Sequence, residues 1–304
     1  MSNPDFYTEC LNMLGCHRNP SGVTVTNPET SLFFRRYLLM KAMSVFKWKL
    51  PETWSEEYFL YTLYCRGSVA VVETDKYGVI PQGGTPWGVS VMYQPTRYNI
   101  ANPLLRGILQ PLIGIECCVF KLAPDWRGIL DLVALYGDYM ALAAQACGLN
   151  LINSHLSYVF LAENKAIAES FKKLYDDVAC GKPASVVDTK LAKADGSLAV
   201  TLLQQNLSQN FITPQLMECW RNYENMFATA IGIPNANTGK RERMIVDEVN
   251  ANNAETMCTV DMWYTSWKKV CRQVKDMFDI EIDVEWRVKP VEKSVESGEN
   301  YGEN

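Results

Sequence analysis

The stretch that most limits what this chain can fold into runs from Arg127 to Gly148. Ile129, Leu132, Val133, Tyr136, Met140 and Ala143 or Ala144 recur at spacings of three and four, which puts them on one broad helical face. A helix of about 22 residues rising about 1.5 Å each is about 33 Å long. Ala141, Ala143, Ala144 and Ala146 are small enough to admit a close neighbour, so this helix calls for a helical partner. A second strong helix starts at Thr213 as N-cap with Pro214 at its first position, and carries an apolar stripe of Leu216, Trp220, Tyr223, Phe227 and Ala230. The run from Ile129 to Ile152 is the most apolar in the chain. It contains Asp131 and Asp138 and is read as a packed helix, not a membrane span.

The flanking segments divide into helical and β-type patterns. Residues 1–30 are polar and rich in Asn, Pro, Thr and Gly, as in a loose arm. From Ser31 a helix is expected up to Pro51, with Phe34, Leu38, Ala42 and Phe46 inward beside a second stripe of Tyr37 and Met40. Arg35, Arg36 and Lys41 fall on its other side. A second helix follows to about Tyr64, with Glu56 and Glu57 at its positive end. Beyond Gly67 the pattern shortens: Ser68–Glu73 reads as a strand, Asp75–Gly78 as a turn, and Ile113–Phe120 as a buried strand. Asp125 is the expected N-cap of the long helix.

After the long helix, Ser157–Leu161 reads as a strand and Ile167–Val178 as a helix. Ala184–Val187 and Leu198–Leu203 read as strands joined across an Asp195-Gly196 turn. Residues 243–254 and 259–278 read as two helices. Ile280, Ile282, Val284, Trp286 and Val288 alternate with charged residues, the clearest strand in the chain. The last residues, 289–304, are polar and charged, as in a disordered tail. The class expected is α+β, mainly helical.

Chemistry is sparse. A net charge of −5 excludes whole-surface attraction to nucleic acid or anionic membrane, so any such contact must be local. Ten cysteines lack C-x-x-C or zinc spacing, as free thiols in a reducing compartment do, and the N-terminus has no export signal. His17 and His155 lie in no nucleophile context, and Gln82-Gly83-Gly84-Thr85 lacks the lysine of a phosphate cradle. The carboxylate pairs Glu56-Glu57, Asp176-Asp177 and Asp247-Glu248 are ordinary at helix ends. No enzyme, cofactor or metal is expected.

One break remains, from Gly232 to Glu248. Gly232 and Pro234 stop the incoming helix, Asn235, Asn237 and Gly239 favour turns, and Lys240, Arg241 and Arg243 form a tight basic cluster. Such a loop is either a solvated surface or a contact for a polyanion. Arg243 begins the next helix, where it can instead pair with Asp247 four residues on.

The run Gly232-Ile233, Asn235-Ala236-Asn237, Lys240-Arg241-Glu242-Arg243-Met244 and Asp247-Glu248-Val249 resembles the tunnel loop and following helix of bacteriophage portal proteins. Specifically, it resembles the upper collar, or head-tail connector, of small short-tailed phages of the Salasviridae kind. The helix of Phe33 to Trp48 before Leu50-Pro51, Lys172-Lys173 with Tyr175 before a Gly-Lys-Pro turn, the Trp220 helix and the Ile280–Arg287 strand follow in matching order.

The resemblance implies a dodecameric ring at one capsid vertex of the virion, assembled in the host cytoplasm, with double-stranded DNA passing through its channel. It implies an arm (1–30), a wing (31–126 and 155–209) with a small SH3-like β element, stem helices (127–154 and 210–231), a tunnel loop (232–243), a helical crown (244–290) and a tail (291–304). The implied partners are the major capsid and scaffold proteins, a packaging ATPase and the lower collar or tail protein, and no membrane. Implied DNA contacts are Asn235, Asn237, Lys240, Arg241 and Arg243, with Lys240 and Arg241 foremost. Residues 1–34 hold Arg18 as their sole Lys or Arg, which puts a packaging RNA in doubt. Ala194–Trp220 contains no Lys or Arg, leaving the loop as the main basic ring. The rival reading is a monomeric cytosolic DNA-binding protein that uses the same loop.

Overall fold

The computed structural model describes residues 20–105, 109–155, 158–162, 165–179, 200–204, 211–233 and 246–287. Leu142–Trp220 form one compact unit, and the chain on either side forms the other.

In the larger unit, helix α1 (Pro28–Met43) starts where the Asn27 side chain accepts the Glu29 N–H at 3.0 Å and Pro28 presets the first turn. Phe34, Leu38, Leu39 and Ala42 are buried, whereas the expected second stripe of Tyr37 and Met40 is exposed. The helix stops at Met43, short of Pro51. Residues Phe46–Lys49 form strand β1 instead, with Phe46 and Trp48 buried and Lys47 and Lys49 exposed. The spacing of four that links Leu38, Ala42 and Phe46 masked this period of two. Helix α2 (Glu56–Tyr61) is capped by Ser55, which accepts the Tyr58 N–H, and continues as one π-helical turn through Arg66.

Three strands make an antiparallel sheet in the order β3 (Gly78–Gln82), β2 (Ser68–Thr74), β6 (Cys117–Lys121). Ser68 to Val72 are all buried because both sheet faces are covered. Ala70, Val72, Cys117 and Val119 pack with Tyr98, Ile100 and Leu105. A second antiparallel pair, β4 (Thr85–Trp87) with β5 (Arg97–Asn99), forms a ribbon beside it. The strand expected from Ile113 begins only at Cys117. Leu112 O accepts the Glu116 N–H at 2.9 Å, so the preceding residues turn.

Helix α3 (Leu130–His155) starts later and ends later than its periodicity suggested. Asp125 accepts the Arg127 N–H at 3.2 Å but caps only a turn; the first helical bond runs from Val133 N to Ile129 O. By length and composition, Leu130–Ile152 could cross a membrane. Its first half is nevertheless folded into the core, with Val133, Ala134, Met140 and Ala141 at most 2% exposed.

The smaller unit holds the rest of α3, strand β7 (Tyr158–Ala162), helix α4 (Lys165–Ala179), strand β8 (Val200–Gln204) and the start of helix α5 (Thr213–Ala230). β8 pairs antiparallel with β7, from Tyr158 opposite Gln204 to Ala162 opposite Val200. The expected strand Ala184–Val187 and the Asp195-Gly196 turn lie outside the described residues. Thr213 does not cap α5: its hydroxyl donates to Asn150 Oδ1 at 2.7 Å, and Ile212 O takes the first helical bond from Leu216 N. Residues 31–126 and 155–209, expected to share a wing, fall in different compact units.

Returning to the larger unit, the two helices expected over 243–278 are one, α6 (Val246–Phe278), about 50 Å long. No Gly or Pro interrupts it, and Trp263, Trp267, Val270 and Val274 keep its core face continuous. Strand β9 (Asp283–Trp286) is shorter than the alternating run and pairs with β1, Phe46 opposite Trp286 and Lys49 opposite Asp283. Trp267 is fully buried among Phe46, Trp48, Tyr64 and Trp263, and its indole N–H donates to Lys121 O at 2.9 Å. These rings meet edge-on or tilted, the arrangements that aromatic quadrupoles favour.

Candidate functional site

The residues singled out for DNA contact, Asn235, Asn237, Lys240, Arg241 and Arg243, lie outside the described residues, so their geometry stays an expectation. The end of α5, which precedes that segment, is described.

At the end of α5, Ile233 N donates to Ala228 O at 2.8 Å and Gly232 N to Thr229 O at 3.1 Å. Gly232 takes a φ of 71°. This pair of bonds around a left-handed residue is a Schellman cap, and glycine is the residue that adopts that φ without a Cβ penalty. The helix therefore stops where the Gly-Ile-Pro sequence indicated. Phe227, Ala228 and Ile231 are at most 2% exposed, so the last turn is seated in the core.

Neighbouring helices hold that turn in place. Glu224 Oε1 accepts from Tyr37 Oη at 2.6 Å and from Lys41 Nζ at 2.7 Å, tying α5 to α1. Burial pushes the Glu224 carboxyl up, but the hydrogen bonds from Lys41 and Tyr37 outweigh it and hold the carboxyl below its ordinary value. The same bond to Glu224, aided by burial, raises the Tyr37 phenol to about 12. Tyr223 stacks on Tyr139 of α3 with ring centres 5.2 Å apart, and Phe227 meets Tyr136 edge-on at 6.0 Å.

A buried ion pair joins α1 to α3. Arg35 Nη2 reaches the two Asp138 oxygens at 2.9 and 3.0 Å, Arg35 Nε donates at 3.2 Å, and Ser31 Oγ donates to the same carboxylate. Arg35 was expected on the outer face of α1; it turns inward because Asp138, 3% exposed, would otherwise be a buried charge without a counterion. The two helices cross closely at Gly137, where a Cβ would come within 2.8 Å of Arg35 Cγ. Sequence reasoning missed both cross-helix clusters. The signal available was the lone Asp138 in an apolar run, which demands a cationic partner without naming it.

Among the described residues no group of three or more His, Cys, Asp or Glu is placed to hold a metal. Burial pushes the thiols of Cys117 and Cys271 up to about 12 and that of Cys118 to about 11, so they stay protonated and inert. Among the described residues, the contacts of Glu224, Tyr223 and Phe227 tie the end of α5 to α1 and α3.

Residues 125–291, more than half of the chain, match the sequence profile of the family described as Phage Connector (GP10). Solved structures with a similar course include the portal and tail of native bacteriophage P68, at 13% identity over 87% of this chain and 89% of that one, TM-score 0.49. A chain from the virion of the native gene transfer agent particle is 12% identical over 86% of this chain and 81% of its own, TM-score 0.46. An HK97 family phage portal protein from Corynebacterium diphtheriae is 12% identical over 87% and 96%, TM-score 0.38. All of these scores lie below 0.5, and the assignment rests on the profile match, which spans α3, α5, the basic loop and α6: the chain belongs to the phage connector family.

Proposed function

We propose that this connector closes into a dodecameric ring at one capsid vertex and forms the channel for double-stranded DNA during packaging and ejection. The profile match over residues 125–291 carries the proposal. In this reading α3 and α5 supply the stem, residues 31–126 the wing and 244–290 the crown, while 155–209 belong to a separate compact unit. The ring is a structural component of the virion and docks the major capsid and scaffold proteins, the packaging ATPase and the lower collar or tail. A packaging RNA has little to bind, since Arg18 is the sole Lys or Arg in residues 1–34.

The physics suits a conduit. DNA presents a phosphate every few ångströms, and many strong cationic contacts would arrest it. A chain of net charge −5 leaves the wall repulsive overall. Lys240 and Arg241, with Asn235, Asn237 and Arg243 beside them, touch phosphates briefly without reading bases. Repeated around the ring, these contacts damp backward slippage.

Two experiments test this. Negative-stain microscopy and a mass measurement of the purified protein are expected to show a ring with a central hole; a monodisperse 34.4 kDa species would leave the monomeric DNA-binding reading instead. Lys240→Ala combined with Arg241→Ala is expected to lower genome retention after packaging, and wild-type retention would sink the role given to the loop.

A further inference from the structure

The ribbon of β4 and β5 ends in a tip that the rest of the described chain leaves in water. Val91, Met92 and Tyr93 are 99%, 83% and 88% exposed, with Trp87 and Val89 behind them at 62% and 68%. No charged residue occurs between Gly78 and Thr96. A contiguous apolar protrusion of this kind marks a contact surface, whereas a single exposed leucine would not.

The tip is also ordered by its own bonds. Ser90 N donates to Gln94 O at 2.8 Å, Tyr93 N to Ser90 O at 2.9 Å, Gln94 N to Ser90 Oγ at 3.1 Å and Thr96 N to Trp87 O at 3.1 Å. Tyr93 is held at a φ of 57°, a region that bulky residues seldom occupy. A knob already fixed in shape loses little conformational freedom on docking.

The same compact unit carries a matching recess. A cleft of about 300 Å³ is walled by Trp54, Tyr58, Tyr77, Ile80, Leu104 and Leu105 and has no charged residue in its lining. The polar side chains at its edge are satisfied: Asn102 Nδ2 donates to Gln82 Oε1 at 2.9 Å, and Trp54 Nε1 donates to Val79 O at 2.9 Å. Leu104 stands at the lip, 71% exposed. Gln82 and Asn102 line the cleft and flank the ribbon, whose pairs run from Thr85 opposite Asn99 to Trp87 opposite Arg97, so the tip stands at the far end of the ribbon from the cleft.

We propose that the tip of one copy seats in the cleft of the next. A knob and a hole on different parts of one chain make a head-to-tail contact, which repeats around a rotation axis and closes a ring. The proposal rests on the ring reading above and names one of its contacts. The tip is smaller than the roughly 800 Å² per partner of a stable interface, so it acts as an anchor within a larger one.

The test uses the full-length chain. Met92→Cys combined with Leu104→Cys, oxidised mildly in the assembled state, is expected to give a ladder of covalent multimers that neither single variant gives. Met92→Lys is expected to lower the ring fraction at fixed concentration about tenfold with an unchanged circular dichroism spectrum, and adding Leu104→Glu to restore it. Intact rings without a ladder, or wild-type ring yield in Met92→Lys, would overturn the contact while leaving the ring standing. A wild-type chain that stays at monomer mass would overturn both. Co-sedimentation with phosphatidylglycerol vesicles that Met92→Lys abolishes, at unchanged ring yield, would also overturn the contact and make the tip a membrane anchor.

Discussion

The two halves of α3 are alike in composition and opposite in fate. From Leu130 to Ala141 the helix is a core element: α1 crosses it at Gly137, Arg35 neutralises Asp138, and Met140 and Ala141 are fully covered. From Leu142 to His155 it leaves Leu142, Leu149, Leu151 and Ile152 between 40% and 62% exposed. One such residue would be ordinary, but Leu142, Leu149 and Ile152, spaced seven and three apart, share one helical face. Apolar periodicity thus says that a face needs covering. Whether the same chain supplies the cover is a separate matter, and a ring offers a second source for the distal half.

The contrast can be broken first at the core. Trp267→Ala is expected to destabilise the chain by about 3–5 kcal/mol in urea melts, because it leaves a large cavity and orphans Lys121 O. Next comes Asp138→Asn, which removes the charge that the Arg35 guanidinium grips at 2.9 and 3.0 Å. About 3 kcal/mol is expected, against almost nothing for Asp131→Asn on the exposed side of the same helix.

Glu224→Gln loosens the base of the loop. Both partners of the Lys41 pair are 25% exposed, so at most about 1 kcal/mol is at stake at pH 7. Burial raises the Glu224 carboxyl, yet the bonds from Lys41 and Tyr37 leave it depressed below 4.5. Its contribution is therefore present above about pH 4.5 and lost as pH falls through the lower folded value. The gap in Tm between wild type and variant is expected to narrow from pH 7 towards pH 3; a gap that widens in acid contradicts the assignment.

The smallest effect on folding is expected in the distal half of α3. Leu149→Asp should change monomer stability by no more than about 0.5 kcal/mol, while native mass spectrometry shows fewer rings. A loss as large as that of Trp267→Ala would erase the distinction between the two halves.

Much of the fold was legible locally. The alternation around Val284 marked β9, the three- and four-residue spacings marked α3 and α5, and Gly232 followed by Pro234 marked the end of α5. The errors share one cause. Phe46 and Trp48 continue a helical spacing, but the ladder offered by β9 from the far end of the chain draws them into β1. Likewise Asn250, Asn252 and Asn253 weaken a helix on propensity alone, yet α6 runs through them because burial of its later turns outweighs that preference. At the candidate site, the Gly232 cap was readable from local sequence; the Glu224 and Asp138 clusters were not, because each joins helices distant in sequence.

What the sequence alone determined, then, were the places where the backbone must be helical, extended or turned. Those follow from side-chain spacing and from the backbone limits of Gly and Pro, which act over a few residues. Only the tertiary structure decided which faces are covered and by what: Arg35 against Asp138, Trp267 against Lys121 O, β1 against β9. Burial and hydrogen-bond satisfaction depend on partners that the fold brings together, and no spacing within a segment encodes the identity of a distant one.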